Sequence, residues 1–526
     1  MNRHLVARLL GMVAWLIGLT MVFSLPWAWP ALGGHQQFEL RGFIALVASG
    51  LVCAVVGWGL RHYGRQAKSQ LFRKEAMAVV GLSWIMATVL GGLPYLLAGV
   101  SRGLDAGQPI RMNVADCLFE SQSGFSTTGA TVLTDIEDSS LVPRCMLFWR
   151  SSTHFLGGLG IIVLFVVVLG QGSAGKALMR AEMPGPSKDG SQERMQHTAW
   201  IFAAIYCGLN LVLTILLWFE GMNWFEALCH AFGTMATGGF STRNGSLGGF
   251  HSPAIEYTVI LFMILAGTNF TLLYFVLLKN PRRLLRDYEW RTFMCIILGA
   301  TVLVMIAGLW GRDDFDPQGK LEGLQLWEVA MRDGLFQVVS ILTTTGYGSA
   351  DFNQWSSFSR VLLVQLMFIG GCAGSTGGGM KVIRVILFAK ILRHDVEQSF
   401  HPSVVRHIRL GKEPLTDPDL PRSILVYVGL IASILAFSWI LLVALEPDAT
   451  WVRAGQPLDN KLVDSATAVI ATLQNIGPGL GIVGATENYA EFNQGSKLLF
   501  TFLMMLGRIE LFAILVLLIP AFWRYR

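Results

Sequence analysis

Charge is scarce in this chain. Of its 526 residues only 14% are Asp, Glu, Lys or Arg, while 53% are hydrophobic. Soluble domains carry about 25% charged residues, so the deficit excludes an ordinary water-soluble enzyme or binding module. The net charge of +5 is small and gathers in short loops, which argues against nucleic acid as a partner. Cysteine is sparse too. Cys53, Cys117, Cys145, Cys207, Cys229, Cys295 and Cys372 form no C-x-x-C and lie in apolar or Gly-rich segments, so neither a disulfide framework nor a metal spacing follows. No nucleophile–base pair, metal cluster or cofactor fingerprint is present. The expectation is therefore a chain that is not an enzyme and binds no cofactor of its own.

What the sequence does have is long apolar runs. A bilayer crossing needs about 20 apolar residues, and two such runs come first, at 5–29 and 42–60, within a leading region 1–70. Arg3 and Arg8 precede the first run as in a signal peptide, but the run is too long and no small-residue cleavage site ends it. A triad then recurs four times, in regions 71–175, 195–282, 290–395 and 420–526: a long apolar helix, a shorter half-polar segment ending in Gly, and a second long helix. First helices are predicted at 76–100, 198–219, 292–310 and 423–445, and second helices at 145–169, 254–278, 361–392 and 497–523. The fold class is an all-α membrane protein, with four helix–pore-loop–helix repeats around a central pore and two extra N-terminal transmembrane helices.

Basic residues set orientation. Arg61, Arg65, Lys68, Arg73 and Lys74 precede the first triad. Lys176, Arg180, Lys188 and Arg194 follow it, Lys279, Arg282, Arg283, Arg286 and Arg291 follow the second, and Arg393, Arg406, Arg409, Lys412 and Arg422 follow the third. All four groups fall on one face, which places that face, the N-terminus and Arg526 in the cytoplasm. The opposite face carries Asp135, Glu137, Asp138, Asp313, Asp314, Asp316, Glu446, Asp448, Glu487 and Glu491. These acids either raise the local cation concentration or only keep the loops soluble.

The four half-polar segments align. The first runs from Leu118-Phe119 to Thr128-Gly129 and the third from Leu335-Phe336 to Thr345-Gly346 with identical spacing; the second ends at Thr237-Gly238 and the fourth at Asn475-Ile476-Gly477. Repetition of this kind marks one structural unit copied. A segment too short and polar to span survives at membrane depth only inside protein or along a wet cavity. Each should enter as a short helix, turn, and return as extended chain, so that four loops meet on one axis. A cation shedding its water needs a cage of backbone carbonyls, and Gly reaches the φ/ψ values that aim them inward. A helix C-cap or close packing explains one Thr-Gly, but not four copies between paired helices. Thr128, Gly129, Thr237, Gly238, Thr345, Gly346, Asn475, Ile476 and Gly477 are thus the candidate ion-binding residues, for a monovalent cation and K⁺ foremost.

With these loops and triads the chain resembles the Trk/Ktr/HKT superfamily of potassium transporters, in its TrkH branch; the two leading helices favour that branch. The resemblance covers nearly the whole chain. It implies K⁺ uptake across a bacterial inner membrane, a pseudo-fourfold pore, a homodimer, and a cytoplasmic nucleotide-binding regulatory subunit like TrkA. In that superfamily Gly in all four loops accompanies K⁺ conduction, and all four are Gly here. The fourth loop departs from Thr-Thr-Gly with Asn475-Ile476-Gly477-Pro478.

Two further features lie below the loops. The run 370–379 holds Gly370, Gly371, Gly374, Gly377, Gly378 and Gly379, with Ser375 and Thr376. Six glycines at about 1 kcal/mol each against Ala cannot hold a helix, so the second helix of the third repeat should break there. It is not a phosphate loop, since no Gly-Lys-Ser/Thr follows and no strand precedes. The resemblance makes it the intramembrane gating loop, with close packing as the plainer alternative. Arg508 sits near the middle of the predicted last helix, where a charge normally faces a partner or a wet cavity. The resemblance places it in the pore under the filter; an ion pair with Glu510 is the plainer alternative. Gly479, Gly481 and Gly484 match G-x-G-x-x-G but follow no strand and bind no dinucleotide on this reading. His154 and His230 read as packing residues, and Asn269 as a residue of the second repeat's last helix. A gated channel-like pathway is the preferred mechanism. A K⁺/Na⁺ or K⁺/H⁺ symporter is the first rival, and a membrane enzyme the second.

Overall fold

The computed structural model describes all residues except 34–36, 67–71, 106, 170–191, 311–313, 317–318, 402–408, 411–412, 415–418, 456, 509–510 and 525–526. Lys68, Lys176, Arg180, Lys188, Asp313, Arg406, Lys412, Glu510 and Arg526 lie outside the described residues.

Helix α1 (Arg3–Val22) starts where the Asn2 side chain accepts the Leu5 N–H, a standard cap for an otherwise orphaned donor. It packs along α2 (Leu40–Tyr63). Small residues let the two backbones close up: a Cβ on Gly18 would lie 2.8 Å from Cys53 Cβ. Lipid tails are as apolar as Leu, so close backbone approach takes over from hydrophobic burial as the glue.

The first repeat comprises α3 (Arg73–Ala98), a hairpin of β1 (Ser101–Asp105) and β2 (Gln108–Arg111), α4 (Val114–Phe125) and α5 (Arg144–Leu169). The second has α6 (Gln192–Phe219), α7 (Trp224–Met235), α8 (Pro253–Ala266) and α9 (Phe270–Leu277). A connector, α10 (Arg282–Arg286), leads to the third, formed by α11 (Tyr288–Leu309), α12 (Leu324–Leu342), α13 (Ser357–Leu366) and α14 (Val382–Phe400). The fourth has α15 (Leu420–Leu445), α16 (Lys461–Leu473), α17 (Gln494–Arg508) and α18 (Phe512–Leu515). Six helices among the described residues are long and apolar enough to cross a membrane, or up to eight if each of two bent pairs is one span.

Two expected helices are not continuous. The span predicted over 254–278 bends by 106° between α8 and α9, at Gly267-Thr268-Asn269. Asn269 therefore caps α9, its Oδ1 accepting the Thr271 N–H at 2.8 Å, instead of sitting inside a helix. The span predicted over 497–523 bends by 119° after Arg508. Arg508 thus ends a helix rather than occupying its middle. The third repeat breaks where its glycines predict, between Leu366 and Val382.

The helices α4, α7, α12 and α16 bury their C-terminal halves inside this frame. Asn113 and Asn223 cap α4 and α7 by accepting the N–H groups of Asp116 and Glu226. Outside, Leu51, Val55, Trp218, Phe437 and Ile440 lie exposed on the long helices, as expected where the solvent is hydrocarbon.

Candidate cation pathway

Each short helix ends in the same way. The N–H groups of Ser126, Ala236, Thr343 and Gln474 still bond four residues back, at 2.8–3.1 Å. The next residues, Thr127, Thr237, Thr344 and Asn475, turn into the left-handed region with φ between 53° and 60°. The following N–H groups, on Thr128, Gly238, Thr345 and Ile476, reach five residues back to Ser123, Gly233, Ser340 and Ala471 at 2.8–2.9 Å. That is a Schellman-type ending, which normally uses Gly at the left-handed position. Four non-Gly residues held there are a local cost of the kind that persists only where surrounding structure imposes it.

This registry corrects the second loop. The glycines that follow the turn with φ of 77° to 97° are Gly129, Gly239, Gly346 and Gly477. Gly238 takes the place of Thr128, Thr345 and Ile476, so the loop is shifted by one residue from the Thr-Gly alignment. The signal was present: Asn113 to Gly129 and Asn223 to Gly239 are equal intervals, but the Thr-Gly dipeptide drew the alignment to the nearer glycine.

The four loops close on one another. A Cβ on Gly129 would lie 2.2 Å from the Gly238 carbonyl oxygen, on Gly239 2.2 Å from that of Thr345, on Gly346 1.9 Å from that of Ile476, and on Gly477 2.6 Å from that of Thr128. Each glycine therefore abuts the carbonyl preceding its counterpart on the next loop, and the fourth returns to the first. No side chain fits between them. The partly negative C-terminal ends of α4, α7, α12 and α16 lead into this ring.

Braces hold the ring from behind. Ser123 and Ser340 hydroxyls donate to the carbonyls of Ala130 (2.5 Å) and Tyr347 (2.7 Å), and Tyr489 donates to that of Gly477 (2.8 Å). Glu120 accepts from Thr131 Oγ1, the Val132 N–H and Arg150 Nε (2.6 Å). Arg150 also donates to the Ser241 carbonyl and lies 3.4 Å over the Phe240 ring. This buried pair joins the first loop to the second, and it escaped the sequence reading although an Arg in a membrane helix flags itself. His154 Nε2 accepts the Phe240 N–H while Nδ1 meets the Gly124 carbonyl; His230 bonds Glu226 O and Ser241 Oγ. Both imidazoles have neighbours that suit packing supports.

Under the ring lies the 370–379 run. Its Gly378 N–H donates to Thr344 Oγ1 at 2.7 Å, and the Met380 N–H to Gln474 Oε1 at 3.0 Å. A Cβ on Gly378 would lie 2.8 Å from Asn475 Cβ, so only glycine permits the approach. On another side the run meets the break in the second repeat: the Cys372 N–H bonds Gly267 O, the Thr376 N–H bonds Ala266 O, and the Phe270 N–H bonds Gly374 O. Arg508 joins them. Its Nη1 donates to the Thr376 carbonyl at 2.7 Å and its Nη2 to that of Gly157 at 3.2 Å. The structure therefore brings Gly370, Gly371, Gly374, Ser375, Thr376, Gly377, Gly378, Gly379 and Arg508 together beneath the four loop ends. On the opposite side a recess is lined by Gly129, Gly239, Gly346, Gly477, Arg150, Arg243 and Glu487. No group of three or more metal-ligating side chains occurs among the described residues.

A family model describing the cation transport protein TrkH matches residues 44–525. The chain belongs to the TrkH family. It is 35% identical to the Trk system potassium uptake protein TrkH of Halomonas elongata over the full length of both, and 32% identical to that of Escherichia coli K12, again over the full length of both. The crystal structure of the potassium transporter TrkH from Vibrio parahaemolyticus superposes with a TM-score of 0.82 at 30% identity, covering all of both chains. TrkH-family proteins are membrane transporters, not enzymes, and the fold of this chain is theirs; it is predominantly helical, and the hairpin of β1 and β2 departs from the all-α expectation.

Proposed function

We propose that this chain takes up K⁺ through a gated, channel-like pathway whose selectivity filter is the ring of four loops. The ring of glycines and carbonyls is the observation that carries this reading. Backbone oxygens at a constriction can replace the water of a dehydrated cation, and an ion moving through them follows the membrane potential, about 2.3 kcal/mol per charge per 100 mV. In this reading Thr128, Gly129, Gly238, Gly239, Thr345, Gly346, Asn475, Ile476 and Gly477 supply the filter, while the 370–379 run and Arg508 form the gate below. Thr237, one residue earlier in the shifted second loop, supports the turn. K⁺ is the transported ion, and it binds only at the filter.

The basic face, with Lys279, Arg282, Arg283 and Arg286, is cytoplasmic, as are both termini, and the recess over the ring faces out from the bacterial inner membrane. The chain works as a homodimer with a cytoplasmic nucleotide-binding subunit, consistent with relatives named as parts of a Trk system.

The test is ⁸⁶Rb⁺ uptake into liposomes carrying the purified protein, for the native chain and Gly346→Ser. Uptake that K⁺ suppresses better than Na⁺, with that preference relaxed in G346S, is the expected result. Uptake that needs a proton or Na⁺ gradient and ignores G346S would overturn the channel reading in favour of a symporter.

A further inference from the structure

A run of six glycines among ten residues loses more backbone entropy on ordering than a run of ordinary residues, so its fixed shape needs anchors from outside. One anchor comes from neither the loops nor Arg508. Glu289, in the first turn of α11, is buried, and its Oε1 accepts the Ala373 N–H at 2.7 Å and the Ile383 N–H at 3.1 Å. Ala373 lies inside the Gly-rich run. Ile383 lies in the first turn of α14, where N–H groups have no partner within their own helix. A single carboxylate oxygen therefore bridges the run to the helix that follows it, at a helix N-terminus that favours negative charge.

The charged groups nearby are Asp287, which caps α11 through the Trp290 N–H, and Lys381, whose Nζ donates to the Gly377 carbonyl. Arg384 lies over the Tyr427 ring at 4.2 Å. The run is thus pinned on both sides by one stretch of chain. The second repeat's break bonds it at Gly267 and Phe270, and the same stretch returns through α9 and α10 to bond it again at Glu289. Between these contacts lie the exposed Lys279, Arg282 and Arg283, the only part of that stretch rich in charge.

We propose that Glu289 is a positioning residue that latches the Gly-rich run under the filter, and that this latch keeps the pathway closed in the isolated chain. The inference rests on the gate reading given above. The carboxylate touches no ion; it fixes the loop that does the closing. Displacing the 270–289 stretch withdraws the acceptor from both N–H groups together and lets the run move.

The test uses the full chain in liposomes, with no partner added. ⁸⁶Rb⁺ uptake is measured for the native chain, R508A, E289A and E289Q. Labelling of Cys372 by a water-soluble methanethiosulfonate is followed in parallel, with the exposed Cys207 and Cys295 replaced by Ala; Cys372 is buried in this structure. E289A is expected to raise uptake about tenfold, the ratio carried by one charge-assisted hydrogen bond, and to expose Cys372. E289Q keeps an oxygen acceptor and is expected to stay near the native chain in both readouts. If R508A raises uptake while E289A changes neither uptake nor labelling, the latch is wrong and the gate reading stands. If R508A and E289A both leave uptake flat, the gate reading fails and takes the closing role of the latch with it; labelling then decides whether Glu289 positions the run, exposed Cys372 supporting that and protected Cys372 overturning it. E289Q leaking as much as E289A would also overturn the positioning role. Should E289A fail to give a monodisperse protein, I383P removes one of the two donors and leaves the carboxylate in place, since proline is tolerated in a first helical turn. Raised uptake or labelling in I383P supports the latch, and native behaviour in both overturns it.

Discussion

Lys497 and Asp116 meet at 2.6 Å with both side chains almost wholly buried. Lys497 lies in the first turn of α17, the second helix of the fourth repeat, and Asp116 in the first turn of α4, so the pair closes the ring of repeats by joining last to first. Lys497 also donates to the Ala490 carbonyl, and Asp116 accepts the Asn113 N–H. Removing one partner of a buried ion pair strands the other and costs about 3–5 kcal/mol. K497A should therefore unfold at a markedly lower temperature in detergent, and D116A likewise. The double change K497M/D116L should recover much of the loss. Thermal unfolding followed by size-exclusion chromatography checks this, and a double variant as unstable as K497A would contradict it.

The two adjacent glycines of the second loop should respond differently to substitution. A Cβ on Gly239 meets the Thr345 carbonyl at 2.2 Å and needs φ of 77°, whereas one on Gly238 meets the His154 ring at 2.4 Å. Backbone in the ring cannot yield, but a side chain can be shortened. H154A should partly restore K⁺-selective uptake to G238A and should not restore it to G239A. Equal rescue of both would mean that the second loop is not registered as the hydrogen bonds place it.

Arg150 and Glu120 give a third expectation. Their contact at 2.6 Å sits behind the first two loops, and Arg150 also holds the Ser241 carbonyl. R150K keeps the charge but loses the planar fork and its stacking on Phe240. We expect R150K to fold yet to discriminate K⁺ from Na⁺ less well, by about tenfold if one charge-assisted bond to the loop is lost. Competition of Na⁺ against ⁸⁶Rb⁺ uptake measures this; unchanged competition would reduce the pair to a packing role.

The architecture was legible in the sequence because its signals are strong: apolar runs of membrane length, four copies of one unit, and six glycines where a helix should continue. What escaped had weaker local signals. Gly267-Thr268-Asn269 carries one glycine in an apolar run, too little to announce a 106° bend; the bend is fixed by backbone bonds to a run more than a hundred residues away. Arg508 was visible as a charge, but its place at a helix end depends on its bonds to Thr376 and Gly157. Arg150 stood out only as a charge in a membrane helix, and nothing in the sequence pointed to Glu120 as its partner; Asp116 and Lys497 pair across repeats, which leaves no trace at fixed sequence spacing. Gly239 was one residue from a more conspicuous dipeptide.

The recess over the ring supplies the pH prediction. Glu487 lines it, and partial burial, then the charge of Asp351, hold its carboxyl above the usual carboxylate range. As pH falls, Glu487 should take up a proton before ordinary surface acids do, so the recess loses one negative charge at a higher pH than those acids would give. A raised carboxyl pKa also means that the stability this group contributes is present below its unfolded value and is lost as pH rises through the folded one. The pH effect on uptake is thus not a by-product of unfolding at this site. One charge about 10 Å from an ion in water is worth about 0.4 kcal/mol, a factor of about two in local concentration. Uptake at low external K⁺ should therefore fall about twofold through this titration in the native chain. E487Q should start at the lower level and lack that step, and the two should converge at saturating K⁺ or at high ionic strength, where the field is screened. A native chain and E487Q with parallel pH profiles at low K⁺ would show that the carboxylate serves loop solubility and not cation capture.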